Sequence, residues 1–156
     1  METIHAASTL MDAVGRLALA AAIGAIVGIN RELQRKPAGL RTHALVAMGS
    51  ALMTIVALTL PSVDAATASA SVSRVFQGIV AGIGFVGGGA IIYRGDAENV
   101  HGLTTAAAIW VVTAAGMAVG GGLWRTGIAT AVLTVLVLAG GEYVDDWLHK
   151  RGQPRS

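Results

Sequence analysis

The sequence predicts an all-α integral membrane protein: a bundle of five transmembrane helices with the N-terminus outside and the C-terminus cytoplasmic. Three observations carry that prediction. Charged residues cluster so as to leave five uncharged runs, at 17–30, 44–63, 75–93, 102–124 and 126–141. A helix rising about 1.5 Å per residue needs roughly twenty residues to cross roughly 30 Å of hydrocarbon, so these runs are of spanning or nearly spanning length. The composition agrees, with 54% hydrophobic and only 13% charged residues in 156, unlike an average soluble domain. The cations then set the orientation. Arg31, Arg35, Lys36, Arg41, Arg94, Lys150, Arg151 and Arg155 fall on one side, against Arg16, Arg74 and Arg125 on the other, and the side richer in cations faces the cytoplasm.

The expected spans are about 11–30, 42–60, 74–93, 102–120 and 125–144. They form a transmembrane domain over 1–144, followed by a short cytoplasmic tail at 145–156. The first run reaches spanning length by extending outward through Met11 to Gly15, with Asp12 and Arg16 four residues apart and able to pair. Glu2 and Asp12 ahead of Arg16 suit an uncleaved helix better than a signal peptide. In the first connection, Pro37 lacks an amide donor and Gly39 tolerates unusual backbone angles, so Lys36 to Leu40 reads as a tight turn, with Thr42 capping the second span. The second connection, 61–73, is small, polar and nearly uncharged and reads as an exposed outer loop. The third, 94–102, returns to the cytoplasm, and Thr104 or Thr105 caps the fourth span. Gly120 to Arg125 makes a short outer hairpin. Trp110, deep in the fourth span, reads as core packing.

The third span is unusual because Gly78, Gly82, Gly84, Gly87, Gly88 and Gly89 crowd into twelve residues. Each glycine costs a helix roughly 1 kcal/mol relative to alanine. Two readings stand. In one, the glycines form small-xxx-small faces for close helix packing, a pattern repeated by Gly24 with Gly28 and Gly116 with Gly120. In the other, the helix breaks around Gly87 to Gly89 and its exposed carbonyls line an ion path.

The chemistry available is narrow. The chain has no cysteine, and neither HExxH nor GxSxG occurs, so it reads as a non-enzyme; nor does it carry the features of a nucleic-acid binder. Its polar signal lies on the cytoplasmic face, where Arg31, Glu32, Arg41, Thr42, Asn99, Thr104 and Thr105 form the candidate functional cluster. An ionisable group beside hydrocarbon is costly unless paired, which predicts a pair between Glu32 and Arg41 or Arg31. Arg35 and Lys36 read as contacts to membrane lipid headgroups. Glu32, Asp96 and Glu98 are the candidates for Mg2+, an ion that wants six oxygens, although their spacing matches no dedicated metal motif. The positive end of the fourth helix can also favour an anion, and His43 and His101 are candidates for sensing acid.

Three blocks carry a resemblance to a known family. They are GAIVGINRELQRKPAGLRTHALVAMGSAL at 24–52, RVFQGIVAGIGFVGGGAII at 74–92 and VHGLTTAAAIWVVTAAGMAVGGG at 100–122. Together they resemble the MgtC/SapB family of bacterial membrane proteins over roughly residues 14–140. Many members carry glutamate where this chain has Asn30, and alanine where it has Gly88. Long members continue into an ACT-like cytoplasmic domain, which is not expected here. The resemblance implies an inner-membrane protein linked to survival at low magnesium and in acid. It also implies a regulator of other membrane machines, among them a magnesium P-type ATPase and the ATP synthase. The glycine faces suggest that such a regulator packs as a homodimer. A small magnesium or proton transporter, or channel component, is the alternative; an anionic-lipid sensor built on the basic hairpin is a third reading.

Overall fold

The computed structural model describes residues 2–60, 64–91 and 101–152, with side chains described for 9–60, 64–91 and 101–141. All regular structure in these residues is helical: α1 Glu2–Leu33, α2 Leu40–Thr59, α3 Ala65–Ala90, α4 Leu103–Gly120 and α5 Trp124–Gly152. Each contains a stretch long and apolar enough to cross a membrane.

The order of packing follows from which helices can approach closely. Half of α4 is buried, against 6% of α3, and α4 touches all four other helices. Its partners α1, α2 and α5 supply Ala20, Val27, Ala47, Ala51 and Ala131 to a core completed by Ala108, Val112, Ala115 and Val119 of α4. Alanine and glycine at the seams let backbones come together where larger side chains would hold them apart. A Cβ added at Gly28 would lie 2.6 Å from the Leu40 Cα, and one at Gly120 would lie 2.9 Å from the Ala51 Cα. Gly24 abuts the His43 carbonyl, and Gly116 abuts Ala47 and Ser50, in the same way. Hydroxyls buried in these seams are satisfied by backbone. Thr54 donates to the Ser50 carbonyl at 2.8 Å, Thr113 to Ile109 at 2.8 Å, and Ser50 lies 3.0 Å from the Thr113 carbonyl across the α2–α4 seam.

Helices α4 and α1 end in the same closure, with different residues at its left-handed position. At the end of α4, Leu123 N–H bonds to Ala118 O and Gly122 N–H to Val119 O, with Gly122 at φ 86°. This is the Schellman closure, in which glycine takes the left-handed position without strain. At the end of α1, Lys36 N–H bonds to Arg31 O and Arg35 N–H to Glu32 O, the same closure with Arg35 at φ 54°. Ala38 follows at φ 57°. Each costs about 1–2 kcal/mol of backbone strain. The turn falls where Pro37 and Gly39 predict it, but the left-handed positions are Arg35 and Ala38, while Gly39 sits at φ −87°.

Three further expectations need correction. Residues from Ala65 onward are not an outer loop but the first turns of α3, because Asp64 caps them by accepting from Thr67 N–H at 2.7 Å and the Ala/Ser/Thr run that follows is compatible with helix. That hydrogen bond holds the Asp64 carboxyl below the usual carboxylate range. The cap is therefore fully in place above the ordinary carboxylate pKa and is lost as pH falls through the lowered value. Asp64→Ala is expected to speed amide hydrogen exchange in the first turn of α3 and leave the other helices unchanged. Trp110, the second correction, faces outward and is 52% exposed. Third, α3 runs unbroken through Gly87, Gly88 and Gly89, so the discontinuous-helix reading does not hold. Most of its glycines, moreover, pack against nothing among the described residues. Only Gly87 meets a neighbour, where an added Cβ would lie 3.6 Å from the Ala106 Cβ, while Gly78, Gly82, Gly84, Gly88 and Gly89 face open space.

Candidate functional site

The two arginines of α1 fasten it to opposite ends of α4. At one end, Arg16 pairs with Asp12 at 2.8 Å, as their spacing predicts, and donates to the Gly120 carbonyl at 2.9 Å. A cation at a helix C-terminus complements the negative end of the helix dipole. At the other end, Arg31 is only 3% exposed, and its Nη2 donates to Thr105 Oγ1 at 2.6 Å. Thr105, itself buried, belongs to the first turn of α4.

Around Arg31 the polar groups take roles that differ from the expected ones. Glu32 pairs with neither predicted arginine; its carboxylate accepts the Leu40 N–H at 3.0 Å. It thereby caps α2 from across the turn, since the N-cap residue Gly39 has no side chain to do so. Thr42 is consequently not the cap but lies inside α2. A Cβ on Gly39 would press against the Glu32 carboxylate at 2.8 Å, so a glycine keeps this bond open. Loss of the cap in Glu32→Ala is expected to cost about 1 kcal/mol, whereas Glu32→Gln keeps an acceptor and most of that stability; chemical denaturation of the three proteins in detergent measures the difference. The N-cap of α4 is Gly102, at φ 91°, not Thr104 or Thr105. A Cβ there would meet the Ala90 carbonyl carbon at 3.0 Å, because the chain leaves α3 and enters α4 in close contact. Thr104 is exposed, and Thr105 is turned to Arg31 instead.

His43 is fully buried, with Nδ1 3.1 Å from the Gly39 carbonyl. A carbonyl only accepts, so the proton lies on Nδ1. Arg41 is exposed, as are Arg35 and Lys36. Asn99, Asp96 and Glu98 lie outside the described residues. Among the described residues, no three His, Cys, Asp or Glu side chains come together as a metal site, and Glu32 is committed to the α2 cap. The arrangement joins α1, α2 and α4 through Arg31, Glu32, His43 and Thr105 at one end of the bundle.

Comparison with known proteins places this architecture. The profile of the MgtC family matches residues 17–147. The chain belongs to the MgtC family. It is 43% identical over 131 residues to Protein SrpB of Synechococcus elongatus, covering 80% of this chain and 72% of that protein. It is 44% identical over 130 residues to a protein of Escherichia coli K12 named putative magnesium transporter YhiD, covering 79% and 57% respectively. With Protein MgtC of Salmonella typhimurium the identity is 37% over 111 residues, 71% of this chain and 44% of the relative. The chain thus spans little more than half the length of YhiD and less than half that of MgtC. No solved structure matches.

The match to the MgtC family contains every residue just described at the Arg31 end. Sequence reasoning singled out Arg31, Glu32 and Thr105 but missed the side-chain bonds they make, and it missed Arg16 as the fastener to Gly120. The signal for Arg16 was present: a second cation on α1, one helix length from Arg31, beside a span otherwise free of charge.

Proposed function

We propose that this chain is a multi-pass protein of the bacterial inner membrane, with its Arg31 end in the cytoplasm, that serves magnesium homeostasis as a non-enzymatic regulator of other membrane proteins. The magnesium link is supported by membership of the MgtC family and by the name of the E. coli relative. The orientation is supported by the cation bias, which puts Arg31, Arg35, Lys36 and Arg41 on the inner face.

The observation that carries the regulatory reading is the open face of α3. Gly24, Gly28, Gly116 and Gly120 are consumed by contacts inside the bundle, while Gly78, Gly82, Gly84, Gly88 and Gly89 meet none of the described residues. A row of glycines is expensive in a helix and is useful where another helix backbone approaches. In this reading α3 packs against a second helix in the bilayer, either from another copy in a homodimer or from a regulated protein such as a magnesium P-type ATPase or the ATP synthase.

Because the chain has no cysteine, single cysteines report contacts without background. Gly84→Cys and Gly88→Cys are expected to form cross-linked adducts in native membranes, and Ala115→Cys, buried on α4, is expected to form none. A chain that stays free of adducts at both α3 positions, while inserted and helical, would remove this reading. The name of the E. coli relative favours a second one, in which the chain itself moves magnesium; ion flux separates the two.

A further inference from the structure

One charge stands on the open face of α3. Arg74 is the only charged residue between Ala65 and Ala90. It is exposed, and among the described residues it makes no ion pair or hydrogen bond. Ionisable groups on membrane helices are rare and normally face a partner or water.

Helical spacing places this cation. Arg74, Gly78, Ala81, Phe85 and Gly88 recur at i, i+4, i+7, i+11 and i+14, a single stripe. All five are exposed, Phe85 by 87%. The inner side of α3 is a different stripe, Val72, Phe76, Ile79, Ile83 and Gly87, half-buried or buried, with Gly87 meeting Ala106 of α4. That contact also sets the depth of Arg74. Gly87 lies by Ala106 and Ala90 by Gly102, so α3 and α4 run in opposite senses. Thirteen residues separate Arg74 from Gly87, and fourteen separate Ala106 from Gly120, about 20 Å along each helix. Arg74 is therefore level with the Gly120 end of α4, where Arg16 is bound.

A second copy does not answer this charge. Copies inserted in the same sense are related by an axis along the membrane normal, which holds equal residues at equal depth, so an isologous α3–α3 contact sets Arg74 against Arg74. The other described carboxylates of a second copy are engaged or misplaced. Asp12, nearest that level, is held by Arg16; Asp64 caps α3 ten residues further out; Glu32 caps α2 at the opposite end. We propose that the occupant of the α3 face is a transmembrane helix of a different protein, with small residues along its seam and a carboxylate at the depth of Arg74. This rests on the reading above that α3 is a docking face, and it excludes a second copy from that face. Gly78, Ala81 and Gly88 let the two backbones approach, and the carboxylate accepts from the guanidinium in the two-pronged geometry that arginine favours. A lipid phosphate also answers a cation at this level, but it has no use for a row of glycines that weakens the helix.

The full chain carrying Ser156→Cys is labelled with a donor fluorophore and reconstituted in phosphatidylcholine vesicles at neutral pH with acceptor-labelled synthetic transmembrane peptides. The peptides are leucine-rich with one alanine and glycine seam, and they differ in a single residue, Glu, Gln or Lys, set at the depth of Arg74. The Glu peptide is expected to bind the wild type, and the Gln peptide to bind roughly tenfold less tightly. Arg74→Glu is expected to invert the preference and take the Lys peptide, and Gly78→Leu to weaken every peptide, with circular dichroism as the check on folding. Equal binding of the Glu and Gln peptides, lost in Gly78→Leu, overturns the carboxylate while α3 remains a docking face. Energy transfer between copies of the chain that Gly78→Leu abolishes, with no peptide bound, assigns the face to a second copy and overturns the proposal. Phosphatidylglycerol retained by the wild type and lost in Arg74→Gln, again with no peptide bound, assigns Arg74 to a lipid headgroup and overturns it too. If no peptide binds and the Gly84→Cys and Gly88→Cys cross-links also fail, the docking reading falls together with the proposal.

Discussion

Gly116→Ala is expected to lower the stability of the protein by about 1–3 kcal/mol, the usual cost of overpacking a closed seam. The same substitution at Gly82 is expected to leave stability unchanged or raise it by up to about 1 kcal/mol. The chemical change is identical, and both glycines sit inside long helices. They differ in what a methyl group would meet. At Gly116 it would sit 2.9 Å from the Ala47 carbonyl carbon and closer still to the Ala47 oxygen and Ser50 Oγ. To admit it, α2 and α4 must separate, and the Ser50 hydroxyl loses its approach to the Thr113 carbonyl. At Gly82 nothing lies within 4 Å, so alanine removes backbone freedom from the unfolded chain at no steric cost. Thermal unfolding of the two variants in one detergent decides it. Equal melting temperatures would mean that α2 and α4 are not packed as described. If α3 docks on another helix, Gly82→Ala should in addition weaken that association while the chain itself grows more stable.

Thr105→Val removes one hydroxyl and preserves shape, and its expected cost is about 1.5–3 kcal/mol, the range for a hydrogen bond to a charged group. The reason is burial: Arg31 is 3% and Thr105 1% exposed, so water cannot readily replace the lost acceptor. Thr104→Val, one residue away on the exposed face, should change stability by no more than about 0.5 kcal/mol. Denaturation by guanidinium in detergent measures both. Similar effects at the two positions would show that Arg31 does not depend on α4. A large loss confined to Thr105 would show that the Arg31–Thr105 bond helps to hold the end of α1 to the start of α4.

The contrast between these neighbours illustrates what the sequence reveals and what it hides. Span number and the positions of the first turn and of the short hairpin before Trp124 are local properties, written in the spacing of charges and in Pro37, and they are legible. So is the Asp12–Arg16 pair, since four residues on a helix return to the same side. The facing of the helices is not legible. The spans of α2 and α4 are apolar nearly all round, so no stripe marks an inner side, and Trp110 consequently reads as core when it points outward. Arg31 and Thr105 are 74 residues apart, and nothing local marks Thr105 rather than Thr104 as the partner.

The glycines are the harder case. Gly116 with Gly120 and Gly78 with Gly82 look alike as sequence, yet the first pair is filled by α2 and the second is open. The difference is set by which helix lies at the centre, a property of the whole bundle. At the first turn, glycine and proline locate the break, but the left-handed positions are Arg35 and Ala38; at Arg35 the Schellman closure fixes that conformation by its hydrogen bonds and not by residue preference. Glu32 was legible as an ionisable residue in need of a partner; that the partner is a backbone amide follows only from the way the turn closes.

A chain that acts on other membrane proteins, as proposed above, is not itself a conduit. Reconstituting purified protein into liposomes with entrapped magnesium and pH indicators, imposing gradients of each ion, and comparing wild type with Glu32→Gln decides the matter. Fluxes equal to those of protein-free liposomes are expected for both proteins, with Glu32 serving only to cap α2. Magnesium or proton flux that exceeds the protein-free rate and collapses in Glu32→Gln would contradict it and establish the chain as a transporter.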